Sequence, residues 1–114
     1  MDRIEQAKDR VLFEQRLAGF IQAAQVKKDA YLKGFESADG RYKPTPEPIT
    51  VKGGVKWIKL VVPGSVYCFV NSETGDVHKA AGYNQPVKNN PRSNIFDDDY
   101  GSSGVNGHGP VYLR

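Results

Sequence analysis

Cysteine, tryptophan and methionine occur once each in this 114-residue chain, and histidine twice. A lone thiol, Cys68, excludes an internal disulfide framework and a cysteine-rich zinc site, so a reducing compartment is expected. No stretch approaches the ~18 apolar residues of a membrane span, and the N-terminal MDRIEQAKDR lacks the apolar run of a secretory signal. There is no Gly-Lys-Ser/Thr phosphate loop and no Gly-x-Gly-x-x-Gly fingerprint, so no cofactor is expected. At this length one small domain is expected, with a limited core.

What is present is an uneven charge. The net charge is +3, yet residues 1–40 carry seven Lys/Arg and seven Asp/Glu and are neutral. Residues 41–96 carry eight Lys/Arg against Glu47, Glu73 and Asp76, whereas residues 97–114 carry Asp97, Asp98 and Asp99 against Arg114. The positive field belongs to the middle of the chain, which favours an anionic partner there. It is too thin for a duplex nucleic-acid face.

The hydrophobic pattern divides the chain into a helical arm at 1–40, a connector at 41–48 and a β domain at 49–114. In the arm, Phe13, Leu17, Phe20 and Ala24 recur at helical spacing, flanked by a stripe of Ile4, Ala7, Val11, Ala18 and Ile21. Gly19 and Gly34 are the expected weak points. The connector RYKPTPEP has proline at 44, 46 and 48 and cannot continue a helix. It is expected to let the arm stand away from the sheet or pack on a neighbouring subunit. A helix of about 30 residues, roughly 45 Å long, outreaches strands of about 17–20 Å. Part of the stripe is therefore expected to lack an intrachain partner, which points to a homo-oligomer.

Strands are expected at Ile49–Lys52, Val55–Val62, Val66–Val70 and Asp76–Ala81, with short closing strands at Asn94–Phe96 and Val111–Leu113. Val66–Val70 is apolar on both parities and should be central. DDDYGSSGVNGHG, residues 97–109, reads as a Gly/Ser loop with little means of burying itself. The fold class is α+β: an N-terminal amphipathic helical arm followed by a small antiparallel sheet.

Catalytic candidates are thin. Cys68 lies mid-strand between Tyr67 and Phe69, where an inert buried thiol is expected. His78 and His108 could act as acid and base in RNA cleavage, but their separation matches no motif, and two exposed histidines is the plain alternative. Asp97-Asp98-Asp99 lacks the alternating spacing of a calcium loop and reads as a solvated acidic turn. No enzyme activity is expected. Gly53-Gly54, between Lys52 and Lys56, reads as a turn or as backbone amides open to an anion.

The stretch from Ser65 to Phe96 offers more: a hairpin that empties into a polar loop with Tyr83, Asn84, Lys88, Asn89, Asn90, Arg92 and Asn94. Tyr83 presents a face on which a purine can stack, Arg92 a fork of donors for phosphate, and Asn94 an amide for a base edge or ribose hydroxyl. On the residues alone, a plain polar turn with Asn94 as its cap is an equal alternative.

The elements SVYCFV, TGDVHKAAGY, P-R-S-N-I-F-D and G-P-V-Y-L-R, within residues 53–114, resemble a widespread group of small bacteriophage proteins. That group resembles the anti-Thoeris sponge proteins of phages, which sequester cyclic ADP-ribose isomers made by bacterial TIR-domain proteins; some also hold cyclic oligonucleotides. The resemblance implies an oligomeric, non-catalytic protein of the host bacterial cytoplasm that binds a nucleotide-type immune signal. It places Tyr83 on adenine, with Arg92, Asn94 and Arg114 as further ligand contacts. Tyr83 stands where the group usually has Trp and Ser93 where it has Gly. The group's Gly-Arg-Lys reads Gly54-Val55-Lys56, which passes an anion contact to Lys56 or Lys52. The alternatives are a phage accessory protein that binds nucleic acid and a structural or host-protein-binding phage protein.

Overall fold

Asp9, rather than Gly19, divides the helical arm. In the computed structural model, which describes residues 2–111, α1 spans Arg3–Lys8 and α2 spans Arg10–Lys33. Asp2 accepts from the backbone N–H of Glu5 at 2.8 Å, and Asp9 accepts from that of Leu12 at 3.1 Å. A side-chain acceptor that satisfies a first-turn N–H favours a fresh helix start over continuation. Gly19 stays within α2, and the ring of Tyr100 occupies the space a Cβ there would need. Gly34 does end α2, as its C-cap.

The expected stripe of Phe13, Leu17, Phe20 and Ala24 is buried, and Lys28 extends it by one turn. The flanking stripe is divided: Ala7 is buried and Ile21 packs on the core, but Ile4, Val11 and Ala18 are exposed.

The strands are β1 (Thr50–Gly53), β2 (Trp57–Val62), β3 (Ser65–Asn71), β4 (Asp76–His78), β5 (Ala80–Gly82), β6 (Gln85–Pro86), β7 (Ser93–Asn94), β8 (Val105–Asn106) and β9 (Gly109–Pro110). The main sheet is antiparallel in the order β1-β2-β3-β4-β7, so the chain is α+β with β3 at its centre. Two small hairpins, β5–β6 and β8–β9, stand apart from this sheet. The run expected to pair back as one strand over Asp76–Ala81 is split after His78, and β5 turns away to pair with β6. Of the closing strand expected at Val111–Leu113, residues 112 onward lie outside the described part.

Because side chains alternate along a strand, cross-strand register defines two faces. Leu60 opposite Cys68, and Ile58 opposite Val70 opposite Val77, share the core with the helical stripe. Lys59 opposite Phe69 opposite His78 make the second face. A bulge at Tyr67 breaks the β2–β3 register and frees its hydroxyl to donate to the Asn106 carbonyl at 2.7 Å.

Two expectations, about the connector and about the Gly/Ser-rich segment, are corrected. The connector does not hold the helix away from the sheet. Gln25 donates to the Glu47 carbonyl and accepts from Ile49 N, and Lys28 pairs with Glu47 at 3.2 Å. The central stripe is covered, because the Gly/Ser-rich segment from Ile95 to His108 runs along α2, whereas Ile4, Val11 and Ala18 of the flanking stripe stay exposed. Arg16 donates to the carbonyls of Ile95 and Asp97, Lys27 to those of Ser102 and Val105, and Lys28 to that of Gly107. Buried carbonyls need donors, and the cations of α2 supply them. Glycines permit the close approach: a Cβ on Gly107 would meet the Tyr31 side chain, and one on Gly104 the Ser93 side chain. With Gly101, Gly104, Val105 and Gly107 buried, the segment is part of the fold rather than a solvated loop. What remains of the length argument for an oligomer is the exposed flanking stripe alone.

Candidate functional site

The second face of the sheet carries the best-formed exposed constellation. The β5–β6 hairpin turns at Tyr83-Asn84 and comes back over β2. Lys59 places its ammonium 4.0 Å from the centroid of the Tyr83 ring and donates to Asn84 Oδ1 at 2.8 Å. A cation over a ring face is an attraction in itself, and it presents a positive charge beside an aromatic surface that is 55 % exposed. Two residues along the same face, half-buried Trp57 meets the His78 ring edge-on at 4.8 Å. His78 Nδ1 lies 2.8 Å from the Val87 carbonyl, which can only accept, so Nδ1 carries the hydrogen. Buried as it is, His78 pins the hairpin base to the sheet and does not match the exposed histidine expected in that strand.

Two recesses lie near the β5–β6 hairpin and the β8–β9 hairpin respectively. One of about 290 Å³ lies beside Tyr83, walled by Gly64, Ser65, Val66 and Ala80 to Tyr83. The other, about 300 Å³ and more closed to solvent, is lined by Lys79, Asn106, His108 and Pro110.

The remaining sequence candidates do not gather around Tyr83. Asn94 is corrected from ligand contact to structural cap. It is 6 % exposed, and both hydrogens of its amide are used, on the Thr74 carbonyl and on Asp76 Oδ1, each at 2.9 Å. Its Oδ1 accepts from Phe96 N at 2.8 Å. Arg92 binds its own surroundings, with Nε on the Val111 carbonyl at 2.9 Å and Nη1 on that of Asn90 at 2.6 Å. Lys56 is exposed in the β1–β2 turn, where Ser72 holds the carbonyls of Val55 and Lys56. Arg114 lies outside the described residues.

Gly54 in the same turn has φ +115, and a Cβ there would run into the Trp57 carbonyl. Gly54→Ala is expected to cost more than about 1 kcal/mol, since alanine at positive φ is strained before any clash is counted. A urea midpoint equal to wild type would show that the turn relaxes freely.

Burial holds the Cys68 thiol well above its ordinary pKa, so it stays protonated, as the inert reading expects. Among the described residues no three His, Cys, Asp or Glu side chains are grouped to hold a metal ion, and no helix is long and apolar enough to cross a membrane. Asp97 pairs with Arg3 at 2.8 Å and accepts from Asn94 N, and Asp99 accepts from Gly101 N and Ser103 N, each at 2.9 Å, so two of the three adjacent aspartates are structural.

The sequence model of one family matches residues 9–107, from the cap of α2 through Gly107. The chain belongs to DUF7717, a family of unknown function. The matched span holds α2, the sheet, the Lys59–Tyr83–Asn84 cluster and the segment laid along the helix; His108 and Pro110 fall beyond it. No curated protein and no solved structure matches the chain.

Lys59 was absent from the sequence candidates. One lysine in an apolar strand reads as a solvated side chain, and only the fold-back of the hairpin brings Tyr83 and Asn84 to it. The same holds for Lys79 and His108, which lie 29 residues apart in the chain.

Proposed function

We propose that this protein binds a nucleotide-type small molecule and sequesters it without chemical change. The observation that carries the reading is the Lys59–Tyr83–Asn84 cluster. It offers an open ring face for a base, a fixed cation for a phosphate and an amide for polar edges. The positive balance of residues 41–96 supports an anionic ligand. The resemblance to phage sponge proteins gives the class: a cyclic ADP-ribose isomer or a cyclic oligonucleotide acting as an immune signal in the host cytoplasm. Tight sequestration needs enclosure and slow release. A single copy leaves Tyr83 half open, so in this reading a second copy closes over it, as a homo-oligomer.

Calorimetry with cyclic ADP-ribose isomers and cyclic dinucleotides tests this. Tyr83→Ala is expected to weaken binding about 5- to 150-fold, since stacking on an aromatic is worth about 1–3 kcal/mol per base, and Lys59→Ala is expected to weaken it as well by removing the cation. An absence of saturable heat at micromolar concentrations would sink the reading, as would a Tyr83→Ala variant that binds like wild type.

The openness of the Tyr83 face favours, as a second reading, single-stranded nucleic acid laid across the hairpin. It predicts affinity that rises with strand length and falls steeply with salt. A small cyclic ligand predicts neither.

A further inference from the structure

Between Arg16 and Lys27, α2 carries no charged residue, although Ala18, Gln22 and Val26 face solvent there. A solvated helix face ordinarily carries charge. At about 100° per residue, Val11, Gln15, Ala18, Gly19, Gln22 and Val26 fall on one side of α2, opposite the buried Phe13, Leu17, Phe20 and Ala24. Val11 is 70 % exposed and Val26 65 %.

Along the helix this outer face is a palindrome. From Val11 forward, a glutamine and then a small residue follow at Gln15 and Ala18; from Val26 backward they follow, at the same steps, at Gln22 and Gly19. One equal step beyond each valine stand Lys8 and Asp29, opposite in charge and both exposed. Two antiparallel helices related by a two-fold axis need such a pattern, because residue i meets j while j meets i. With the axis between Ala18 and Gly19, Val11 lies against Val26 of the second copy and Gln15 against Gln22. Ala18 lies against Gly19 of the second copy, and Lys8 approaches Asp29. Apolar meets apolar, amide meets amide, and cation meets anion. The smallest residues stand at the crossing, where side-chain size sets how closely two helices approach.

Tyr100 forms a raised edge beside this face. Its φ is +61, a conformation bulky residues rarely adopt, and its ring lies over Gly19 with the Arg16 guanidinium 3.8 Å from its centroid. The ring and the α2 face from Gln15 to Val26 bound a shallow groove of about 630 Å³. An antiparallel two-fold brings like flanks of the helices together, so both Tyr100 rings would stand beside the axis. A rigid aromatic near the centre of an interface contributes most to it.

We propose that the outer face of α2 is a homodimer interface, in which two copies pack this helix antiparallel about an axis between Ala18 and Gly19. The inference does not rest on the nucleotide reading. The buried stripe of α2 packs on one face of the sheet and Lys59 belongs to the other, so this contact leaves both Tyr83 rings outward. Closure over Tyr83 is a second, separate contact. One helix pair makes an interface at the small end of the specific range, so a dissociation constant of roughly tens of micromolar or above is expected. Dilute protein is then monomeric, and Val11 adds little to its unfolding.

Sedimentation equilibrium on the intact protein, from about 5 to 500 μM, tests this. Wild type is expected to pass from monomer to dimer over that range without any ligand. Gln15→Lys combined with Gln22→Lys sets like charges opposite each other and should weaken the dimer at least about tenfold. Gln15→Lys combined with Gln22→Glu sets opposite charges across the axis and should restore it. A parallel pairing sets each position against itself and gives no such rescue. A chain that stays monomeric throughout would overturn the interface. So would a dimer that ignores the double lysine variant, or one that the opposite-charge variant fails to restore. An assembly that forms only with nucleotide, is lost in Tyr83→Ala and is unchanged in both α2 variants would overturn this interface and keep the nucleotide reading. A charge-dependent dimer that binds no nucleotide keeps the interface and removes that reading.

Discussion

Phe20→Ala is expected to destabilise the protein by about 3–5 kcal/mol, close to the largest loss a single core truncation gives. Phe20 is 0 % exposed and sits mid-stripe on α2, in one core with Leu60, Cys68, Val70, Val77 and Val105. Its removal takes apolar area out of burial and leaves a cavity that α2 cannot collapse into. On one side the helix is held to the loop carbonyls through Arg16, Lys27 and Lys28. At its other margin Gln25 fixes it to the connector. Urea unfolding followed by circular dichroism measures this, with Val11→Ala as the comparison. Val11 is 70 % exposed, and its truncation should stay within about 0.5 kcal/mol. A Phe20→Ala loss below about 1 kcal/mol would mean that α2 does not lie on the sheet. A large loss for Val11→Ala that depends on protein concentration would place the outer face of the helix in an interface.

Asn94→Ala should cost about 2–3 kcal/mol, because it strips a partner from buried Phe96 N and from two acceptors, the Thr74 carbonyl and Asp76. Nucleotide affinity of the folded fraction should be unchanged, since neither amide hydrogen of Asn94 is available to a ligand. Lost affinity at wild-type stability would return Asn94 to the binding site. Asn94→Asp sharpens the test through pH. The new carboxyl would be buried next to Asp76, so its pKa in the folded state is raised above the unfolded value of about 3.9. A raised folded pKa means that the folded state binds the extra proton. This variant should thus be closest to wild type below about pH 4 and lose stability as pH rises. A flat difference from wild type across that range would show that the two carboxylates do not meet.

Several elements were legible from local pattern. The stripe Phe13, Leu17, Phe20, Ala24 predicts its own burial because helical period and apolar spacing coincide. The two-parity apolar run Val66–Val70 predicts a central strand for the same kind of reason. Gly54 and Gly75 both adopt positive φ, as turn glycines do. The break at Asp9 was missed because the stripe continues across it, so the competition between the Asp9 carboxylate and helix continuation left no mark on the hydrophobic period.

Residues 97–109 misled for a different reason. Their Gly and Ser content describes what the segment lacks, and its burial depends on donors supplied by Arg16, Lys27 and Lys28 some 75 to 81 residues away in sequence. The candidate site divided along the same line. Tyr83 was legible as an exposed aromatic in a polar turn, whereas Asn94 and Arg92 carry the same side chains whether they face a ligand or a backbone carbonyl.

By itself, then, the sequence determined an α+β chain, a buried thiol, the central strand, the helical stripe and a positive middle, all consequences of spacing and composition within one element. Tertiary structure decided that Lys59 meets Tyr83, that His108 packs on Tyr31, and that Asn94 serves the fold. Those pairings depend on strand register and on how each loop folds back, and such long-range geometry leaves no period in the chain.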